Sequence, residues 1–129
     1  MYRTEHDLVG EKQIDQEAYY GIHSLRAAEN FPITNQRLPG AMIVSMAWIK
    51  KACARANRMA GVLPGRIADA IERACDDLIA GKLHDQFIVD PIQGGAGTSF
   101  NMNANEVIAN RAIEILGGVK GDYKLVNPN

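Results

Sequence analysis

The run Gln93-Gly94-Gly95-Ala96-Gly97-Thr98-Ser99 is the part of this 129-residue chain best suited to chemistry. Its three glycines let backbone approach a ligand closely, two hydroxyls follow, and the run opens a helical stretch whose first N–H groups have no intrahelical partner. Such an arrangement can cradle a small anion. It is not the phosphate loop of nucleotide hydrolases, because no lysine precedes the Thr-Ser pair. Nor is it the dinucleotide fingerprint, because Phe100 stands where the last glycine would be. Without a basic residue in the run, a carboxylate suits it better than a polyphosphate. The same letters also describe a plain loop followed by a helix cap, and pattern alone leaves both readings open.

No nucleophile constellation accompanies the loop. His6, His23 and His84 are scattered and read as structural. Asp76 and Asp77 fall on the solvated face of a helix, which makes them poor acid/base candidates. Cys53 and Cys75 sit on separate Ala-rich stretches without C-x-x-C spacing or clustered histidines, so they read as two buried thiols rather than a disulfide or a zinc site.

The elements that must position the loop are mainly helical. Residues 41–59 form an Ala- and Met-rich helix with apolar residues on most of its circumference, stopped at Gly61, and part of that surface is expected to meet further helices. A second helix starts at Pro64, placed in its first turn, and carries Ile67, Ala70, Ile71, Ala74, Leu78 and Ile79 at i, i+3, i+4 spacing up to Gly81. The third begins after Gly97, with Thr98 or Ser99 as its N-cap, and runs to Leu116 before Gly117-Gly118. Asn101, Asn103, Asn105 and Asn110 crowd this helix against its propensity, so each is either hydrogen-bonded to neighbouring backbone or placed for a ligand. Ahead of these, Asp7-Leu8-Val9-Gly10 reads as a short extended segment closed by a turn glycine. Asp15 to Gly21 reads as a helical turn stopped by glycine, and Ser24 to Glu29 as a short helix ended at Asn30-Phe31-Pro32.

Composition narrows the function classes. Fourteen basic and fifteen acidic residues give a net charge of -1, which leaves no excess of cations for a nucleic-acid backbone. No apolar run approaches the roughly 18 residues of a membrane span, and the polar start Met1 to Asp7 does not suit a secretory signal. A cytoplasmic protein that binds neither nucleic acid nor membrane is expected. At this length a single core is expected too, with no need of disulfides or metal in order to fold.

Asp85-Gln86-Phe87, and then Val89-Asp90-Pro91-Ile92 running through the glycine loop to Asn110-Arg111-Ala112, closely resemble the first signature region of the aspartase/fumarase superfamily. The stretches Glu5 to Gly10 and Ala18 to Pro32 resemble the opening of its aspartate ammonia-lyase branch. The fumarate hydratase branch is similar in outline but carries Gln-Thr-Gly-Ser-Gly-Thr where this chain has Gln93-Gly94-Gly95-Ala96-Gly97-Thr98, and Trp-Gly-Ala where it has Tyr20-Gly21-Ile22. A fumarate hydratase and a stand-alone helical self-association module are the alternatives.

The resemblance implies a mainly α fold with short extended segments near the N-terminus, and reversible deamination of L-aspartate to fumarate and ammonia without organic cofactor; no metal ligand is assigned among these residues. It implies a homotetramer in which three subunits build each site. It places Thr98, Ser99 and Asn103 in the substrate-binding set, with Thr98 bonding the β-carboxylate or the amino group and the other two serving mainly to shape the loop. Arg26 is either a carboxylate partner or, as we expect, half of a structural ion pair. The superfamily's serine base lies in a later signature region. The resemblance therefore implies that residues 1–129 are an N-terminal domain, without the central helical bundle and the C-terminal domain, and catalytically silent alone. A solution of this chain with L-aspartate should show no rise in fumarate absorbance; turnover would contradict that expectation.

Overall fold

The computed structural model describes residues 1–129, and its order is a β-hairpin followed by four α-helices. Strands β1 (Tyr2–Asp7) and β2 (Gly10–Asp15) pair antiparallel from Tyr2↔Asp15 to Asp7↔Gly10. The helices are α1 (Ile22–Asn30), α2 (Gly40–Met59), α3 (Gly65–Ile79) and α4 (Thr98–Ile115). None is long and apolar enough to cross a membrane. The expected mainly α architecture is present, and helices 41–59, 64–80 and 98–116 fall where the periodicity predicts.

The N-terminal segment differs from its sequence reading in two places. Asp7-Leu8-Val9-Gly10 is not a strand closed by glycine but the turn of the hairpin, in which the Asp7 carboxylate accepts the N–H groups of Val9 and Gly10. The strands are too polar to alternate visibly; Glu5 and Ile14 are their buried residues. Asp15 to Ala18 closes one turn, with the Ala18 N–H on Asp15 O, but the turn does not continue to Gly21, because the Arg3 guanidinium gathers the carbonyls of Asp15, Gln16, Ala18 and Tyr20. Gly21 does not stop a helix either. It stands at the N-cap of α1.

α2 and α3 form an antiparallel pair. Lys51 meets Asp76, Arg55 meets Glu72 and Arg58 meets Asp69, so each step along α2 is matched by an equal step back on α3. Such solvent-facing pairs are worth about 0–1 kcal/mol each and set register more than stability. Ile43 and Ala47 of α2 and Ala70, Ala74, Cys75 and Leu78 of α3 share one core with α4. Small alanine side chains let the helices approach closely. Cys75 is buried and its thiol is pushed up to about 12 by burial. Cys53 is exposed, which corrects the expectation of two buried thiols. α2 also exposes Met42 and Ile49 on a patch shared with Phe100, and Trp48 and Met59 on a second patch beside Lys51 and Arg55. Pro39 and Pro64 stand at the N-cap positions of α2 and α3, one residue earlier than the sequence reading placed Pro64.

α4 is the central helix, with ten of its eighteen residues buried. Its interior stripe is polar as well as apolar. Glu106, fully buried, accepts the N–H groups of Gly21 at 2.7 Å, His23 at 2.8 Å and Ser24 at 3.2 Å, the Ser24 hydroxyl at 2.5 Å and His23 Nδ1 at 3.0 Å. Glu5 from β1 accepts the Ile22 N–H. Two buried carboxylates thus cap the first turn of α1, where free N–H groups and the helix dipole favour negative charge. A methyl at Gly21 would lie 2.5 Å from Tyr123 Oη, 2.8 Å from Glu5 Oε2 and 2.9 Å from Glu106 Cδ, so only glycine fits between the caps.

Burial alone would push the Glu106 carboxyl up, but hydrogen bonds from His23, Ser24 and Gly21 outweigh it and hold it below 4.5. The Glu106 hydrogen bond holds His23 above 6.5, against the opposing effect of burial. Because the folded Glu106 value is lowered, its stabilisation is present above 4.5 and lost as pH falls through the folded value. Because the folded His23 value is raised, its contribution is present below 6.5 and lost as pH rises through the folded value. Calorimetry should therefore find this network strongest between pH 4.5 and 6.5. Glu106→Gln should cost about 3 kcal/mol, a fall of about 10 °C in Tm, by leaving buried donors unpaired. An unchanged Tm would contradict the capping role. The apolar outer face of α2 should make the chain self-associate; a clean monomer in sedimentation at high concentration would contradict it.

Candidate functional site

The glycine loop leaves the core at Asp90 and returns to it at Phe100. Gly94 to Thr98 are exposed, Ser99 is half-buried and Phe100 is buried. Phe100 packs against Phe87 with ring centroids 6.1 Å apart and an interplanar angle of 60°, a tilted aromatic pair that roots α4 beneath the loop. The sequence reading named Thr98 or Ser99 as N-cap. The N-cap is Gly97, in the left-handed region at φ 83°, and no side chain caps the helix from that position. The reason is steric: a residue with a Cβ is strained there.

The consequence is that neither Thr98 Oγ1 nor Ser99 Oγ is used within the fold. Their N–H groups also donate to nothing, whereas the Phe100 N–H is taken by Gln93 Oε1 at 2.9 Å and the Asn101 N–H by Gly97 O. Two hydroxyls and two N–H groups therefore stand together at the start of an eighteen-residue helix, on an exposed loop. An oxygen anion is the ligand that such donors satisfy. No acid or base of the chain is bonded to these groups.

The other residues singled out by sequence fall elsewhere. Asn103 is fully buried and both ends of its carboxamide are engaged: Oδ1 accepts the Ile88 N–H at 2.9 Å and Nδ2 donates to Gln86 O at 3.0 Å. Asn110 is likewise buried, donating to Tyr19 O and Tyr123 Oη and accepting the Gly121 N–H. These two are hydrogen-bonded, but to segments outside the helix rather than to neighbouring backbone, and Asn110 also to the Tyr123 hydroxyl. Asn101 accepts from Lys50 Nζ at 2.6 Å, which brings a cation to the first turn of α4. Arg26 makes a two-pronged pair with Asp7, 2.6 and 3.0 Å, and ties α1 to the hairpin turn; its guanidinium holds the Asp7 carboxyl down at about 2. His84 reaches Leu78 O and His6 pairs with Glu11 at the surface.

Sequence reasoning missed the parts that hold the loop. Asp90 accepts the N–H groups of Thr34, Asn35 and Ile92 and the Thr34 hydroxyl; burial opposes its charge, but these bonds hold its carboxyl below the ordinary value. The Asp90-Pro91 dipeptide, an Asx-turn signal, was the available cue. Glu106 was missed too, although Asn103, Glu106 and Asn110 are spaced to share one helical face.

The comparisons with known proteins agree with one another. A family model described as Lyase matches residues 10–129. The aspartate ammonia-lyase of Bacillus subtilis is 59% identical over 128 residues, covering 99% of this chain and 27% of that protein. That of Escherichia coli is 48% identical over 130 residues, covering 98% and 27%. Among solved structures, a fumarate lyase:delta crystallin from Brucella melitensis in native form superposes with a TM-score of 0.98 at 52% identity, over 100% of this chain and 30% of that one. A class II fumarase from Schistosoma mansoni superposes with a TM-score of 0.88 at 31% identity, over 94% and 26%. The chain thus spans about 27% of the length of the curated relatives it matches.

Proposed function

The chain belongs to the aspartase/fumarase lyase family, and on that premise we propose that it is the substrate-loop domain of an enzyme that reversibly converts L-aspartate into fumarate and ammonia. The observation that carries this reading is the set of unused donors on Thr98 and Ser99. The aspartate branch is favoured over the hydratase branch by relatives named aspartate ammonia-lyase at 48–59% identity, against 31% for the fumarase.

Chemistry assigns the donors a task. Removing the proton next to the β-carboxylate of aspartate leaves that carboxylate with a second negative charge, and such a species is stabilised by donors placed before it forms. Thr98 Oγ1 bonds the β-carboxylate or the departing amino group, Ser99 adds a second donor, and the positive N-terminal end of α4 lowers the energy of the dianion. Asn103 serves the substrate through the loop, holding the 86–89 segment on which Phe87 and Phe100 pack. The base that takes the proton comes from outside residues 1–129. The same reading makes the intact enzyme a cytoplasmic homotetramer that needs no cofactor.

The test is kinetic. In the lyase that carries this domain, Thr98→Val should lower kcat/KM for L-aspartate on the order of 100-fold, the loss seen when one such donor is removed. Its Tm should stay unchanged, because Thr98 is exposed and its hydroxyl makes no hydrogen bond within the fold. Formation of malate from fumarate, with no ammonia release from aspartate, would overturn the assignment in favour of a hydratase.

A further inference from the structure

Between Gly94 and Ser99 the loop has almost no attachment of its own. Apart from the bonds of α4 and the Asn101 N–H to Gly97 O, no hydrogen bond ties these six residues to the protein. Gly95 and Gly97 have φ of 69° and 83°, so the backbone between them has the freedom of glycine. A loop of this kind needs an external constraint to hold two hydroxyls in one place.

That constraint is a single side chain. Gln93 Nε2 donates to Asp90 O at 3.0 Å while Gln93 Oε1 accepts the Phe100 N–H at 2.9 Å. One planar carboxamide therefore bridges the irregular segment entering the loop and the helix leaving it. Both of its footings are rigid. Asp90 is itself held by Thr34, Asn35 and Ile92, and Phe100 is packed on Phe87. The Phe31 ring lies beside the entering segment as well: a Cβ on Gly94 would sit 3.0 Å from its edge.

We propose that Gln93 is the positioning residue of the substrate loop, fixing where the donors of Thr98 and Ser99 stand when a dicarboxylate binds. The inference rests on the function proposed above. It also explains why an amide suits this position. A glutamate would keep the acceptor for Phe100 but lose the donor to Asp90 O, and would place a negative charge at the helix start where an anionic substrate must arrive. Gln93 further uses the Phe100 N–H internally and leaves those of Thr98 and Ser99 for the ligand.

Two measurements test it. In the 129-residue chain, Gln93→Ala should speed amide exchange at Phe100 about tenfold, as expected for loss of one hydrogen bond. It should also lower the backbone order of residues 94–99, while amides of α4 from Asn105 to Ile113 exchange as before. Equal loss across α4 would mean general destabilisation, and unchanged loop order would mean no constraint; either result overturns the proposal. In the active lyase, both Gln93→Ala and Gln93→Glu should lower kcat/KM for L-aspartate on the order of tenfold to a hundredfold, the range expected when a binding group is misplaced. Gln93→Glu should raise KM the more of the two. Normal kinetics in both variants would overturn the proposal even where the wild type deaminates aspartate. A wild type that turns over no aspartate would count against the proposed function instead, and the exchange measurement would still decide the role of Gln93.

Discussion

The structure depends on how negative charge is kept inside it. Glu106 and Glu5 are buried carboxylates, and a buried charge without partners costs several kcal/mol. Both find those partners at the first turn of α1, whose N–H groups would otherwise be orphaned by the same burial. Each side removes the other's penalty. The geometry that allows this is narrow, since at Gly21 even a methyl group would collide with Tyr123 Oη and with both carboxylates.

From that pairing the arrangement of the N-terminal half follows. Arg3 sits beside Glu5, and with the rest of its guanidinium it gathers the carbonyls of residues 15–20 into an irregular strap. Tyr123 donates to Glu5 from the C-terminal segment, and Asn110 bonds Tyr123 in turn. Asn103, Glu106 and Asn110 make α4 a spine whose polar stripe grips three separate stretches of backbone. The glycine loop is the N-terminal extension of this spine. Its foot is set by the core and its tip is left with unused donors, the combination that binding a small anion requires: a firm base and groups without internal partners.

The division between inner and outer faces has a similar logic. α2 uses Ile43, Ala47 and Ala54 against the core, yet it exposes Met42, Ile49 and Met59 away from it. Cross-helix ion pairs fix its register with α3 without covering them. A helix built with two apolar sides and one occupied is a helix with surface left for other helices.

Much was legible from sequence because it is local. The i, i+3, i+4 spacing of Ile67 to Ile79, the glycine stops at 61, 81 and 117, and the glycine-hydroxyl run at 94–99 announce helices and the loop that precedes the last of them through residue type alone. The fold class and the family likeness were readable for the same reason. What only the tertiary structure decided lies where partners are far apart in the chain. The hairpin was hidden because its strands carry charge instead of alternating apolar residues, and they are held by Arg3 and by the Asp7 to Arg26 pair. Cys53 turned out exposed because a two-sided apolar helix does not say which side is inside. The roles of Asp90, Gln93 and Glu106 could not be read from their neighbours, since each is defined by the backbone groups it meets: Asp90 at positions 34 and 35, Gln93 across the mouth of its own loop, Glu106 more than eighty residues back at the start of α1. Periodicity reports which way a side chain faces; only the fold reports what it faces.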